Sequence, residues 1–303
     1  MDTPQSAPPV LFESTLSASR LQRASRIGPA DFLLVRAAED LTDRLAGIMR
    51  TFPEAIDFGT PGAQFCASLR HTNNERSITR IAPAGSVTES ISQTLVSDLV
   101  SETGVLPLSQ HSADLIVSGY ALHSVNDLPG ALIQIRRALR ADGLFLACLA
   151  GGKTLHELRE VLAQAEADVL GGVSPRVFPF AEIRDMGGLL QRAGFTLPVA
   201  DTDTVTVRYA SMINLMHDLR AMAQTNILTE RLKRPTPRSV FIRAAELYAE
   251  RHADPDGRIR ATFETIWISG WAPHESQQKP LKPGSAKARL ADALKTIEIG
   301  VKP

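Results

Sequence analysis

Asp57-Phe58-Gly59-Thr60-Pro61-Gly62 brings a carboxylate and two glycines to the end of a short apolar run, Ala55 to Phe58. Glycine lets backbone amides approach a ligand closely. In a doubly wound sheet, ligands bind beyond the carboxyl ends of the strands. The helix start after such a turn favours a carboxylate or phosphate. The turn therefore suits S-adenosylmethionine, whose methionine part ends in a carboxylate, or a nucleotide. It is not a phosphate-binding P-loop, because no Gly-Lys-Ser/Thr follows. It is a poor dinucleotide fingerprint, because Ala63 stands after Gly62 where a further glycine is needed. An acid that would bind ribose hydroxyls is missing from Thr79-Arg80-Ile81-Ala82-Pro83-Ala84, and Glu89 is the next one along.

A second candidate is His123, since histidine titrates near neutral pH and can take a proton from a substrate. The competing reading is a histidine that only lines a pocket or caps a helix. His156-Glu157 has no second histidine at metal spacing, so no metal site is expected. Arg176 could clamp a carboxylate, and an ordinary ion pair weighs equally. Trp271 is expected to pack.

These residues need a scaffold, and the apolar pattern describes one. Leu34, Ala38, Leu41, Leu45, Ile48 and Phe52 mark one helix face, with Asp31 as its cap. Ala55 to Phe58, Ser77 to Ile81, Leu95 to Val100, Asp114 to Ser118 and Leu144 to Leu149 read as short buried strands. Asp127-Leu128-Pro129 opens a helix, with aspartate as cap and proline in its first turn. Thr154 to Val169, Glu182 to Ala193, Met212 to Ala223 and Ser239 to His252 read as helices. Thr204 to Tyr209 and Ala261 to Ser269 read as strands. Strands alternating with helices imply βαβ units and a parallel sheet. The organisation expected is an N-terminal arm over 1–30, loose over 1–10 and basic and amphipathic from Phe12 to Arg26, then a domain over 31–275 with helical insertions after residue 150, and a basic tail over 276–303.

The bulk composition excludes several classes. The 303 residues are 44% hydrophobic, enough for a sizeable core, and the formal net charge is zero. No global field draws the chain to nucleic acid. Cys66 and Cys148 are too few for a disulfide framework. No run approaches the roughly 18 apolar residues of a membrane span. A cytoplasmic protein is expected.

Asp114-Leu115-Ile116-Val117-Ser118 followed by Leu122-His123-Ser124-Val125-Asn126-Asp127-Leu128-Pro129 resembles the fourth-strand motif of S-adenosylmethionine-dependent methyltransferases. More segments carry the likeness: Gly151-Gly152-Lys153-Thr154-Leu155-His156-Glu157-Leu158-Arg159, Gly171-Gly172-Val173-Ser174-Pro175-Arg176, Asp201-Thr202-Asp203 and Asp218-Leu219-Arg220-Ala221-Met222. These resemble the complex I assembly-factor family of methyltransferase type, which is related to the malonyl-carrier-protein methyltransferases of biotin synthesis. The resemblance implies a Rossmann-like seven-stranded α/β sheet, with helices on both faces, a helical N-terminal addition and antiparallel last strands. It places Asp57, Gly59 and Gly62 beside the methionine part of S-adenosylmethionine. It puts Glu102 near the adenine, with Asp98 the lesser candidate. Ser118, Leu122 and His123 then line the pocket wall.

Two functions remain open at this level. One is an enzyme acting on a protein side chain or a carrier-bound carboxylate, with a respiratory complex subunit as client and methylation or arginine hydroxylation as its chemistry. The other is a non-catalytic assembly protein with a degenerate site, favoured by Thr60-Pro61 within the turn and by the missing ribose acid.

Overall fold

Consecutive residues of the central strands are apolar on both sides, which dictates a sheet covered on both faces. The computed structural model describes residues 10–72, 76–86, 94–97 and 104–278. Two helices come first, α1 (Ser14–Ile27) and α2 (Phe32–Ala46). Then follow β1 (Glu54–Phe58), α3 (Gln64–Thr72), β2 (Ser77–Pro83), β3 (Thr94–Ser97), β4 (Ala113–Gly119), α4 (Leu128–Ala138) and β5 (Leu139–Ala150). The remaining elements are α5 (His156–Leu170), α6 (Ile183–Arg192), β6 (Thr196–Tyr209), α7 (Met212–Ala221), α8 (Arg238–His252) and β7 (Ile259–Trp271). The strands form one mixed sheet in the order β3-β2-β1-β4-β5-β7-β6.

Strands β1 to β5 pair in parallel, and β7 runs antiparallel to both β5 and β6. The last two strands, β6 and β7, are thus antiparallel to each other, with β7 the reversed one. Strand order changes direction between β1 and β4, so their carboxyl ends open a crevice there.

Period-two alternation divides the core. On β4, Ile116 joins Leu132 and Ile135 of α4 and Met186 and Leu190 of α6. Its neighbours Leu115 and Val117 join Leu41 and Leu45 of α2 and Phe65 and Leu69 of α3. A third cluster lies between α5, α7, α8 and the first half of β7, around Leu158, Leu215, Tyr248 and Ala261.

Several ends follow local chemistry. The Asp127 carboxylate accepts from Gly130 N at 2.8 Å, with Pro129 in the first turn, as expected of a cap. Asp31 stands at the start of α2 without a capping bond, and Oδ2 accepts from Gln64 Nε2 at 2.8 Å instead. Strand β6 begins eight residues before the expected Thr204. It is an edge strand, and Asp201 and Asp203 break its apolar pattern. Those acids pair with α2: Arg44 lies 2.6 Å from Asp201 and Arg36 lies 2.9 Å from Asp203.

The amphipathic stretch from Phe12 to Arg26 forms α1, which lies over the ends of the strands. A Cβ on Gly85 (φ +88°) would meet the Ala18 carbonyl oxygen at 2.3 Å. Gly85→Val should therefore displace α1. Faster proteolysis within α1 with parental far-UV circular dichroism is the expected result, and unchanged cleavage would contradict this packing.

In the unit His274–Pro303, the described residues place His274 Nδ1 2.7 Å from the Ser276 hydroxyl.

Candidate functional site

The turn after β1 is built around two buried ionisable groups. Asp57 is fully buried, and one carboxylate oxygen accepts from the Thr60 hydroxyl. The other accepts from Cys66 Sγ at 3.1 Å. Thr60 Oγ1 in turn accepts from Gly119 N at 3.0 Å, which ties the turn to the end of β4. Arg80 of β2 is only 1% exposed, and its Nε lies 4.0 Å from Asp57 Oδ2. Its Nη2 donates to the carbonyls of Thr60 and Gly62, at 3.1 and 3.0 Å.

Burial pushes the Asp57 carboxyl up to about 6, and Thr60, Cys66 and Arg80 hold it down against that. Gly59 adopts φ 77°, and its amide is spent on Ile81 O at 2.8 Å.

Beyond the carboxyl ends of β1, β4 and β5 lies a cavity of about 760 Å³. Pro61, Gly62, Gln64, Arg80, Tyr120, His123, Ala150 and Glu264 line its sheet side. Helices α1, α2, α5, α7 and α8 and the 176–180 segment supply further walls. Pro61 thus borders the space and does not fill it. A smaller cleft of about 60 Å³ touches Gly59, Pro83 and Ala84, and α1 covers it with Ser17, Ala18 and Leu21.

Most of the buried polar side-chain atoms that lack a hydrogen bond among the described residues belong to residues lining the larger cavity. They are Arg20 Nε, Gln64 Oε1, Arg80 Nε, Ser86 Oγ, His123 Nδ1, Arg176 Nε and Thr225 Oγ1. Folded proteins pair such atoms, so their concentration around one space marks a place for a polar ligand. At its edge, burial and then Arg23, Arg231 and Arg220 push the Arg20 guanidinium down, a sign of gathered positive charge.

His123 is 8% exposed, with Phe178 and Phe180 ring centroids 6.3 and 5.9 Å away. Its Nε2 lies 3.1 Å from Gln224 Oε1. An amide oxygen only accepts, so Nε2 carries the hydrogen and Nδ1 keeps a lone pair. Burial lowers the His123 pKa, and the bond to Gln224 opposes this, so the ring is neutral at pH 7.

The candidates from sequence divide accordingly. Gly62 and His123 border the large cavity, and Gly59 borders the small cleft. Asp57 is sealed beneath the turn, Ser118 is buried with Oγ unpaired, and Leu122 lies in the core. Glu102 and Asp98, like Glu89 and the tail lysines from Lys279, lie outside the described residues. Arg176 is an ion-pair partner, 2.7 Å from Glu166, although it also lines the cavity. Trp271 packs against Phe52 at 6.2 Å.

Sequence reasoning passed over Arg80, Gln64, Tyr120 and Glu264. An arginine in the apolar run Ile78 to Ala82 was the available signal for Arg80. Tyr120 holds φ 48°, a conformation no pattern announces, and its hydroxyl pairs with Thr265 at 2.6 Å.

Comparison with known proteins accords with this geometry. The family profile described as a methyltransferase domain matches residues 56–147. The arginine hydroxylase NDUFAF5 of Danio rerio is 36% identical over 266 residues, covering 88% of this chain and 83% of its own. The human NDUFAF5 is 36% identical over 264 residues, covering 86% and 76%. The malonyl-[acyl-carrier protein] O-methyltransferase of Xylella fastidiosa is 38% identical over 168 residues, 55% of each chain. The YcgJ protein of Bacillus subtilis shares the fold, with a TM-score of 0.50 at 13% identity, over 79% of this chain and 99% of its own. With the crevice between β1 and β4 and this extent of identity, the chain belongs to the S-adenosylmethionine-dependent methyltransferase family, in the group that includes the arginine hydroxylase NDUFAF5.

Proposed function

We propose that this chain binds S-adenosylmethionine in the large cavity and modifies an arginine side chain of a protein partner. One observation carries the reading: the unpaired buried polar atoms gathered around a space of about 760 Å³. That volume lies within the roughly 300–1,000 Å³ of small-molecule sites. The chemistry of the unpaired atoms fits the methionine end of the cofactor. The Arg80 guanidinium suits its carboxylate, and Gln64 Oε1 with the Asp31 carboxylate suits its ammonium. Asp57 supports this end indirectly by holding Thr60 and Arg80, while Gly59 and Gly62 keep the turn small. Glu102 retains the adenine-side role, and Ser118 and Leu122 the wall beneath.

When bound, the cofactor supplies an electrophilic methyl carbon. The residues orient the acceptor and exclude water. His123 Nδ1, neutral and unpaired, is the group that accepts the acceptor's proton. A buried aromatic wall of Phe178 and Phe180 keeps that histidine neutral.

Arginine as acceptor rests on the relatives named arginine hydroxylase, which match most of the chain. Arg176, the residue considered for clamping a carboxylate, is held by Glu166. The partner we favour is a respiratory complex subunit during assembly. We retain the cytoplasm as the compartment, although the relatives are named as mitochondrial. The strand order supports the seven-stranded methyltransferase sheet, with α1 and α2 as its N-terminal addition.

Thermal unfolding with S-adenosylhomocysteine tests the cofactor site. At about 100 times its dissociation constant, the ligand should add roughly 2.7 kcal/mol. No shift at millimolar ligand would leave the non-catalytic assembly role standing. On product, a mass gain of one methylene or of one oxygen atom on the arginine separates methylation from hydroxylation.

A further inference from the structure

Three buried glutamates hold the region between α5 and β7, and only two are fully paired. Glu157 accepts from Thr262 N at 3.1 Å and Thr262 Oγ1 at 2.5 Å. Glu166 accepts from Ser174 N and from Arg176 Nη2, both at 2.7 Å. Glu264 is 6% exposed and lines the large cavity. Its Oε2 accepts from Lys153 N at 3.1 Å. Its Oε1 accepts no hydrogen bond among the described residues and has only the Lys153 ammonium, 3.7 Å away. That lysine side chain is 73% exposed, so water screens most of its charge.

Glu264 is thus buried with one solvent-screened lysine as its ion-pair partner among the described residues, and the chain makes room for its carboxylate. A Cβ on Gly151 would meet Glu264 Oε2 at 2.5 Å. The Gly151-Gly152-Lys153-Thr154 loop is also bound to the strand: Gly151 N and Thr154 Oγ1 donate to Glu264 O, at 2.8 and 3.0 Å. The loop and the strand thus hold this side chain at the cavity wall. Two aromatic residues, Tyr120 and Phe263, line the same cavity, and aromatic rings attract cations.

We propose that Glu264 is the specificity-determining residue of the cavity, holding the guanidinium of the acceptor arginine. Planar guanidinium pairs with carboxylate through two parallel hydrogen bonds, and the unpaired Oε1 leaves one of those positions open. This inference rests on the reading of the cavity as the acceptor site.

The test measures binding of Nα-acetyl-arginine amide and of its neutral isostere Nα-acetyl-citrulline amide by titration followed by NMR. Binding of S-adenosylhomocysteine is recorded separately for each protein. The parent chain should bind the arginine compound at least tenfold more tightly than the citrulline compound. Glu264→Gln should abolish that preference. Equal binding of the two compounds by the parent, binding of neither, or a preference that survives in Glu264→Gln would each overturn the proposal. The first two of these outcomes, read from the parent alone, overturn it even if the variant does not fold. Loss of S-adenosylhomocysteine binding in the parent would instead count against the cofactor reading.

Discussion

Arg80→Met should destabilise the fold by about 3–5 kcal/mol at neutral pH and abolish binding of S-adenosylhomocysteine. The magnitude follows from breaking a buried ion pair by removing one partner. Arg80 and Asp57 are both almost wholly inaccessible. Without the guanidinium, the Asp57 charge is buried with only Thr60 and Cys66 as donors. The carbonyls of Thr60 and Gly62 also lose their donor.

The loss should depend on pH, with a definite sign. Asp57 titrates near 6 in the fold against an ordinary value of 3.8. Between those values the folded chain holds a proton that the unfolded chain has released. This group's contribution to stability is therefore most favourable below the ordinary value, falls as pH rises through the window, and is level above it. Removing Arg80 raises the upper edge of the window, so the destabilisation should shrink on acidification. Denaturant unfolding across pH 4 to 8 measures it. A penalty below about 1 kcal/mol, or one independent of pH, would show that the pair does not hold the turn.

His123→Phe should lower the rate of arginine modification by roughly 10²- to 10⁴-fold, the usual worth of a positioned acid or base. Phenylalanine keeps the aromatic wall with Phe178 and Phe180, so the fold should survive. The parent's rate should be constant through neutral pH and fall only below the ordinary histidine value, because burial lowers the His123 pKa. The acid limb should vanish in the variant, with the low rate left flat. A variant within tenfold of the parent, or an acid limb unchanged by the substitution, would return His123 to the pocket wall. Product mass on an arginine peptide provides the rate.

Much of the scaffold was readable because short-range patterns govern it. The two-sided apolar runs of β1, β4 and β5 follow from burial on both faces. Asp127 and Pro129 mark a helix start because cap and first turn are local. Gly194, at φ 89°, ends α6 for the same reason. The edge strand β6 was half hidden, since Asp201 and Asp203 interrupt the apolar pattern before Thr204 and their partners Arg44 and Arg36 lie on α2.

The site was less legible. The glycine turn stands out in the chain, yet Asp57 serves it from beneath and Gly59 has spent its amide on β2. Arg80, Gln224 and Glu264 carry no motif. They gain meaning from partners 23, 101 and 111 residues away: Asp57, His123 and Lys153. Sequence alone determined the βα alternation, the turn and the family likeness, because neighbours along the chain decide helix starts, strand faces and turns. Tertiary structure decided which polar atoms stay unpaired around the cavity, because hydrogen bonding between distant segments exists only once the sheet has brought them together.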